Sequence, residues 1–163
     1  MELNQYQRDI LRTKHIVKEA LSKIPPLVGV DMAQLIGDRL RCLRHDTGLS
    51  VYQLKELTGL SHETIRCIEN NKSIPRVSTA LRLAKLFCVS PGVFLIVPND
   101  FYSEKLTVRF KNLRYMLGLK QNEFADLCGL DPSVIRNWEL GVTEPNRQSR
   151  YYIETILELC KGR

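Results

Sequence analysis

The sequence predicts an all-α protein: an N-terminal amphipathic helix followed by two tandem copies of a unit in which short helices are joined by a tight turn. Three observations predict it. The stretch Thr-Gly-Leu-Ser-His-Glu-Thr-Ile-Arg-Cys-Ile-Glu at residues 58–69 is answered by Cys-Gly-Leu-Asp-Pro-Ser-Val-Ile-Arg-Asn-Trp-Glu at residues 128–139. That offset of 70 residues holds from Gly48/Gly118 and Leu49/Leu119 to Pro75/Pro145. Apolar residues recur at helical spacing, with no alternating strand pattern of any length. Finally, 163 residues suffice for one ordinary domain or two small ones, and the repeat favours two.

Residues 4–23 read as the first helix, with Tyr6, Ile10, Val17, Ala20, Leu21 and Ile24 on one side and Arg8, Arg12, Lys14 and Lys18 on the other. Pro25 and Pro26 stop it, because proline has no N–H to donate. Its expected role is a cap packed on the first repeat. Self-association and a basic arm lying along phosphates are the alternatives, the arm being weakened by Glu2, Asp9 and Glu19.

Asp31 is expected to cap a helix over residues 32–46, with Leu35, Ile36, Leu40 and Leu43 facing inward and Gly48 ending it. Ser50 with Gln53 three residues later forms a capping box that starts a helix to Thr58. Gly59 supplies the turn and Ser61 caps the next helix, to about residue 70. Pro75 and Arg76 lead into a long helix through Phe87, and Ser90-Pro91 starts a short one to Ile96.

Residues 97–100 interrupt the pattern and serve as the joint. In the second copy Ser103 is expected to cap a helix through Met116, followed by a helix over residues 121–127. Asp131-Pro132 is a strong helix start, an N-cap followed by proline at the first helical position. The last helix covers residues 147–160, so the second copy lacks the fifth helix of the first. The organisation reads as an N-terminal helix and connector (1–30), a first domain (31–97), a linker (98–105) and a second domain (106–163).

The chain carries 24 Lys+Arg against 18 Asp+Glu, a formal charge of +6 that favours an anionic partner. Residues 36–98 hold +4 of it and residues 106–163 hold +2, so the basicity lies on the repeats, more on the first. Cys42, Cys67, Cys88, Cys128 and Cys160 form an odd set without a Cys-x-x-Cys pair, which reads as reduced core or near-surface thiols, with redox sensing the alternative to that reading. Neither a disulfide framework nor a metal site is expected, and no cofactor.

No apolar run approaches the ~20 residues that cross a bilayer, and the N-terminus is too charged for a signal peptide. The expected location is cytoplasmic, on the nucleoid, with no membrane partner. There is no glycine-rich phosphate loop, no nucleophile motif and no metal-spaced cluster, and His15, His45 and His62 fall on separate helices, so an enzyme is not expected.

The repeat suits a DNA duplex. A major groove about 12 Å wide admits one α-helix, which must project outward and be held at a fixed angle by a second helix. Gly59 and Gly129 permit the tight connection that sets that angle. Leu54, Leu57, Ile65 and Ile68 are the expected buried set of the first copy, and Phe124, Leu127, Ile135 and Trp138 that of the second.

This pattern resembles the lambda-repressor/Cro-type helix-turn-helix family, also called the XRE family. The motifs that carry the resemblance are Leu-Arg-x-Leu-Arg at 40–44, Thr-Gly-Leu-Ser at 58–61, Ile-Arg-Cys-Ile-Glu at 65–69, the proline six residues beyond, and Thr-Ala-Leu-Arg-Leu-Ala-Lys-Leu-Phe-Cys-Val-Ser at 79–90. It implies two lambda-repressor-like domains whose second helices of the pair read base edges while flanking polar residues touch phosphates. Carried over by position, the base-reading candidates are Ser61, His62, Glu63, Thr64 and Arg66, then Asp131, Pro132, Ser133, Val134 and Arg136. The phosphate-side candidates are Asn70, Lys72, Arg76 and Gln121, with Asn71 beside the first of these. Arginine can bind guanine bidentately, glutamate can accept from cytosine, and serine or threonine serves base or phosphate. Arg66 and Arg136, a turn into their helices, are equally placed for base or backbone.

Each copy departs from the family differently. The first has Val51 where the second keeps the family's Gln121, and Lys55 where the second keeps the small Ala125 at the helix crossing. The second has Leu140 where the first has Asn70. The expected function is a sequence-specific transcriptional regulator, a repressor, bound to double-stranded DNA. Two heads would read an asymmetric site as a covalent pseudo-dimer, whereas a homodimer would read a palindrome. The alternative is a protein-interaction module on the same fold, such as an antitoxin, anti-repressor or adaptor.

Overall fold

A computed structural model describes residues 2–27 and 29–160, the side chain of Cys160 excepted. Ten α-helices and two 3-10 turns account for the ordered elements among these residues, and no strand occurs there. Helix α1 runs Gln5–Ser22; the first repeat holds α2 (Ile36–Asp46), α3 (Val51–Thr58), α4 (His62–Glu69) and α5 (Val77–Phe87), closed by a 3-10 turn over Pro91–Phe94. Helix α6 (Pro98–Phe101) joins it to the second repeat, α7 (Leu106–Leu117), α8 (Gln121–Cys128), α9 (Pro132–Glu139) and α10 (Arg147–Leu157), with a final 3-10 turn over Glu158–Cys160.

Local chemistry sets most of the boundaries. Asn4 and Gln7 form a reciprocal capping box on α1, and Ser50 and Gln53 do the same on α3, with Ser50 N donating to Gln53 Oε1 at 2.8 Å. Gly59 and Gly129 end α3 and α8 at φ near +67° and +65°, a region where any side chain but glycine's is strained. Two expected caps do not form. Asp31 closes only a local turn onto Ala33, and α2 starts at Ile36 because Met32 is drawn into the core and its carbonyl is needed elsewhere. Ser103 accepts from Lys105 N, and α7 begins at Leu106.

Two cores result. The first gathers Ile36, Leu40, Leu54, Ile65, Ile68, Leu83 and, from the 3-10 turn and the residues after it, Val93, Phe94, Leu95 and Ile96. The second gathers Phe110, Leu113, Phe124, Ile135, Trp138, Ile153 and Ile156 together with Ile10, Val17 and Leu21 of α1. The N-terminal helix therefore does not cap the first repeat, as its position in sequence suggests. It packs on α8 and α10 of the second, where Tyr6 Oη donates to the Gln148 carbonyl at 2.7 Å. Two residues expected inside lie outside: Leu35, which immediately precedes α2, and Leu57, whose counterpart Leu127 is half-buried on the core that α1 enlarges.

The joint is a packed element rather than a loose linker. Lys111 Nζ donates to the Asp100 carboxylate at 2.9 Å, and Asn112 Nδ2 to the Asp100 carbonyl at 2.8 Å. Met116 packs against both cores, Ser90 Oγ donates to its carbonyl, and Gly118 lies against Leu81 and Pro91 where a Cβ would collide.

Candidate nucleic-acid interface

One frame is built twice. On α2 the Arg44 guanidinium donates from Nε to Glu69 Oε1 at 2.6 Å and from Nη2 to Oε2 at 3.2 Å, while Nη1 donates to the Leu49 carbonyl at 3.0 Å. Seventy residues on, Arg114 makes the same three bonds to Glu139 and to the Leu119 carbonyl, at 2.7, 2.8 and 2.8 Å. Both pairs are nearly sealed from solvent. Each guanidinium fastens the C-terminal end of the exposed helix, α4 or α9, and the chain entering α3 or α8, to one scaffold helix. The fork-to-fork geometry fixes an angle as well as a distance. The pair was legible in principle, since Arg44/Arg114, Glu69/Glu139 and Leu49/Leu119 all keep the repeat register.

On that frame α4 buries Ile65 and Ile68 and turns Ser61, His62, Glu63, Thr64 and Arg66 to solvent. Ser61 Oγ accepts from Thr64 N at 3.0 Å and shares a hydrogen bond with Thr64 Oγ1, so both hydroxyls already serve the helix start. Glu63 accepts from the Cys67 thiol, which that carboxylate holds above its usual range. His62, Glu63 and Arg66 are the side chains left pointing outward. Beyond the helix, Asn70, Lys72 and Arg76 are exposed along one edge. Asn71 is different: at φ +55° its Oδ1 accepts from Gly37 N at 2.8 Å, clamping α2 to the end of α4. Gly37 allows this approach, because a Cβ there would collide with the Ile68 carbonyl oxygen, and Arg41 donates to the Glu69 carbonyl.

The second repeat presents other chemistry. Asp131 accepts from Ser133 N at 2.8 Å and from Ser133 Oγ, bonds that hold its carboxyl below the usual range. Pro132, Ser133 and Arg136 are exposed, and Val134 is half-buried against the second core. Its register counterpart Thr64 is exposed. Trp138 is core, as expected. Gln121 Nε2 donates to Glu139 Oε2 at 2.8 Å, which commits one amide N–H and leaves the other. Lys55, where the second repeat has buried Ala125, carries its ammonium outward over the Tyr52 ring at 5.5 Å, so the helix crossing tolerates it by snorkelling. Where the first repeat shows Asn70 and Lys72, the second shows Leu140 and Val142, 63% and 66% exposed.

Of the thiols, Cys42 and Cys88 are exposed, Cys67 is half-buried and Cys128 is buried, its pKa pushed up to about 12 by desolvation; the Cys160 side chain lies outside the described residues. None of the helices is long and apolar enough to cross a membrane, among the residues described.

Comparison with known proteins agrees with this geometry. A family described as helix-turn-helix domain matches residues 35–93, and a second described as helix-turn-helix matches residues 110–148. The chain is similar to the HTH-type transcriptional regulator PuuR of Escherichia coli (strain K12), with 39% identity over 63 residues, 39% of this chain and 34% of that protein. The same description and figures hold for PuuR of Shigella flexneri. The match thus spans about a third of the length of these curated relatives. No solved structure matches the chain. With two copies of one buried Arg–Glu frame in the repeat register and both segments matched, the chain carries two helix-turn-helix domains in tandem, and the first is similar in sequence to an HTH-type transcriptional regulator.

Proposed function

We propose that this chain is a transcriptional regulator, acting as a repressor, that binds double-stranded DNA sequence-specifically through the major groove. Residues 31–97 form the principal reading domain and residues 106–163 a diverged second one, acting in the cytoplasm on the nucleoid. The observation that carries the reading is the first repeat's outward face. There His62, Glu63 and Arg66 project from a helix anchored at its far end by Arg44–Glu69, and Asn70, Lys72 and Arg76 follow along one edge. Such a face offers base readout at its centre and backbone contact at its margin.

Selection of the full chain against a pool of random duplexes tests this directly. It is expected to recover an asymmetric site, with affinity falling steeply as salt rises from about 50 to about 200 mM. Replacing His62 or Glu63 should relax preference at one or two base pairs at a cost of ~1–3 kcal/mol, whereas replacing Lys72 should weaken all sequences alike. If no duplex binds at about 50 mM salt, where non-specific attraction is strong, the reading is wrong. A second reading, a protein-interaction module, draws on the exposed Leu140 and Val142 of the second repeat. It assigns that edge to a protein partner or to a homodimer.

A further inference from the structure

The two repeats meet along an open groove of about 350 Å³ lined by Ile74, Pro75, Arg76 and Val77 of the first and by Arg114, Tyr115, Lys120 and Gln121 of the second, with Leu95 at its floor. Arg76 is the N-cap of α5 and Lys120 that of α8. Neither makes an ion pair with a described residue, and no carboxylate lines the groove. Arg114 is neutralised by Glu139 and lies flat on the Tyr115 ring, 4.5 Å from its centroid, which makes a rigid wall. The Gln121 amide keeps one free N–H at the same place, while Glu123 caps the start of α8 by accepting from Lys120 N at 2.6 Å. The cleft that runs along the α7 and α10 side of the second repeat is balanced in charge, with Glu104, Glu144 and Glu154 set against Lys105, Arg109 and Arg150.

From this we infer that the groove between the repeats is a backbone-phosphate site shared by both: one DNA strand passes through it, held by Arg76 from the first repeat and by Lys120 and Gln121 from the second. Two unpaired cations facing one groove repel each other until an anion enters, so the site is poised for a phosphodiester. Its open, shallow form suits a backbone segment rather than an enclosed small molecule. Because the packed joint through Met116, Gly118 and Asp100 fixes the two edges relative to each other, the shared phosphates set the register of one repeat against the other on the duplex. The inference deepens the proposed DNA binding and rests on it.

Phosphate-ethylation interference with the full chain on its selected duplex, compared for wild type, Arg76→Gln, Lys120→Gln and the control Arg109→Gln, tests it. The expected result is that Arg76→Gln and Lys120→Gln lose interference at the same one or two phosphates. Each should also lower the slope of log affinity against log salt by about 0.9, which softens the fall between 50 and 200 mM by roughly threefold. Arg109→Gln should leave both unchanged. If the two variants lose phosphates half a turn or more apart, or if Lys120→Gln behaves like the control, the shared site is overturned while the first repeat's DNA binding stands. Failure of the wild type to bind any duplex is a separate result, which removes the DNA reading and this site together.

Discussion

The two repeats share a frame and differ in how each completes its core. The first is closed by chain that directly follows it, the Val93–Ile96 segment, whose Val93 and Ile96 carbonyls accept from Arg39 at 2.8 and 2.7 Å, with the Met32 carbonyl at 2.7 Å. That guanidinium is 1% exposed and held through its two Nη atoms by backbone carbonyls, while its Nε has no hydrogen-bond partner. The second repeat has no such segment after α10 among the described residues, and the register counterpart Arg109 is exposed. Its core is completed instead by α1, from the other end of the chain. A helix-turn-helix frame thus specifies the angle of the exposed helix but leaves open which segment seals the opposite side. One repeat uses a local solution and the other a distant one.

The largest effect should come from the element the repeats have in common. Glu69→Ala and Glu139→Ala each leave a sealed guanidinium without its carboxylate, which costs about 3–5 kcal/mol. Urea denaturation should show comparable losses for the two, and a large inequality would break the equivalence of the frames. Next is the element that separates them. Leu21→Ala on α1 should cost about 2–5 kcal/mol, felt by the second repeat alone. Hydrogen exchange should show amides of α8 and α10 losing protection while those of α2, α4 and α5 keep it; equal loss in both repeats would mean that α1 stabilises the whole chain.

Smaller differences lie at the two exposed helices. Ser61→Ala should lower stability by about 1 kcal/mol at any pH, because a serine cap carries no charge. Asp131 behaves otherwise. Its folded carboxyl is held down by Ser133, so its contribution is present above the ordinary value near 4 and is lost as pH falls through the depressed folded value. Asp131→Ser should flatten the acid limb of melting temperature against pH between about 5 and 2; an unchanged limb would show that the bond does not favour the carboxylate. The least effect is chemical. Cys128, buried and raised to about 12, should resist alkylation in the native protein at pH 8 while Cys42 and Cys88 react, as peptide mass analysis would show.

The fold class, the tandem repeat, the capping box at Ser50, the N-cap at Asp131 and the burial of Trp138 are readable from sequence because each depends on residues within one turn or one repeat period. The placement of α1 is not, since an amphipathic face states that a helix must pack and says nothing of where. Asp31 and Ser103 illustrate a second limit: a cap residue offers a bond, but tertiary demands on Met32 or the α6 joint decide whether a helix starts there. At the candidate interface, exposure of His62, Glu63 and Arg66 follows from the periodicity of α4, whereas the partial burial of Val134 and the groove lined by both Lys120 and Arg76 depend on contacts no local pattern encodes.

The bond from Tyr6 to Gln148 spans 142 residues and has a consequence for the order of events during synthesis. The first repeat can fold as it emerges, since its core partners lie close in sequence, but α1 leaves the ribosome long before α10 exists to receive it. At about 5–20 residues per second, its apolar stripe waits on the order of ten seconds. For that interval the nascent chain carries a folded domain and an unsatisfied amphipathic helix side by side, and the arrival of α10 releases α1 from waiting.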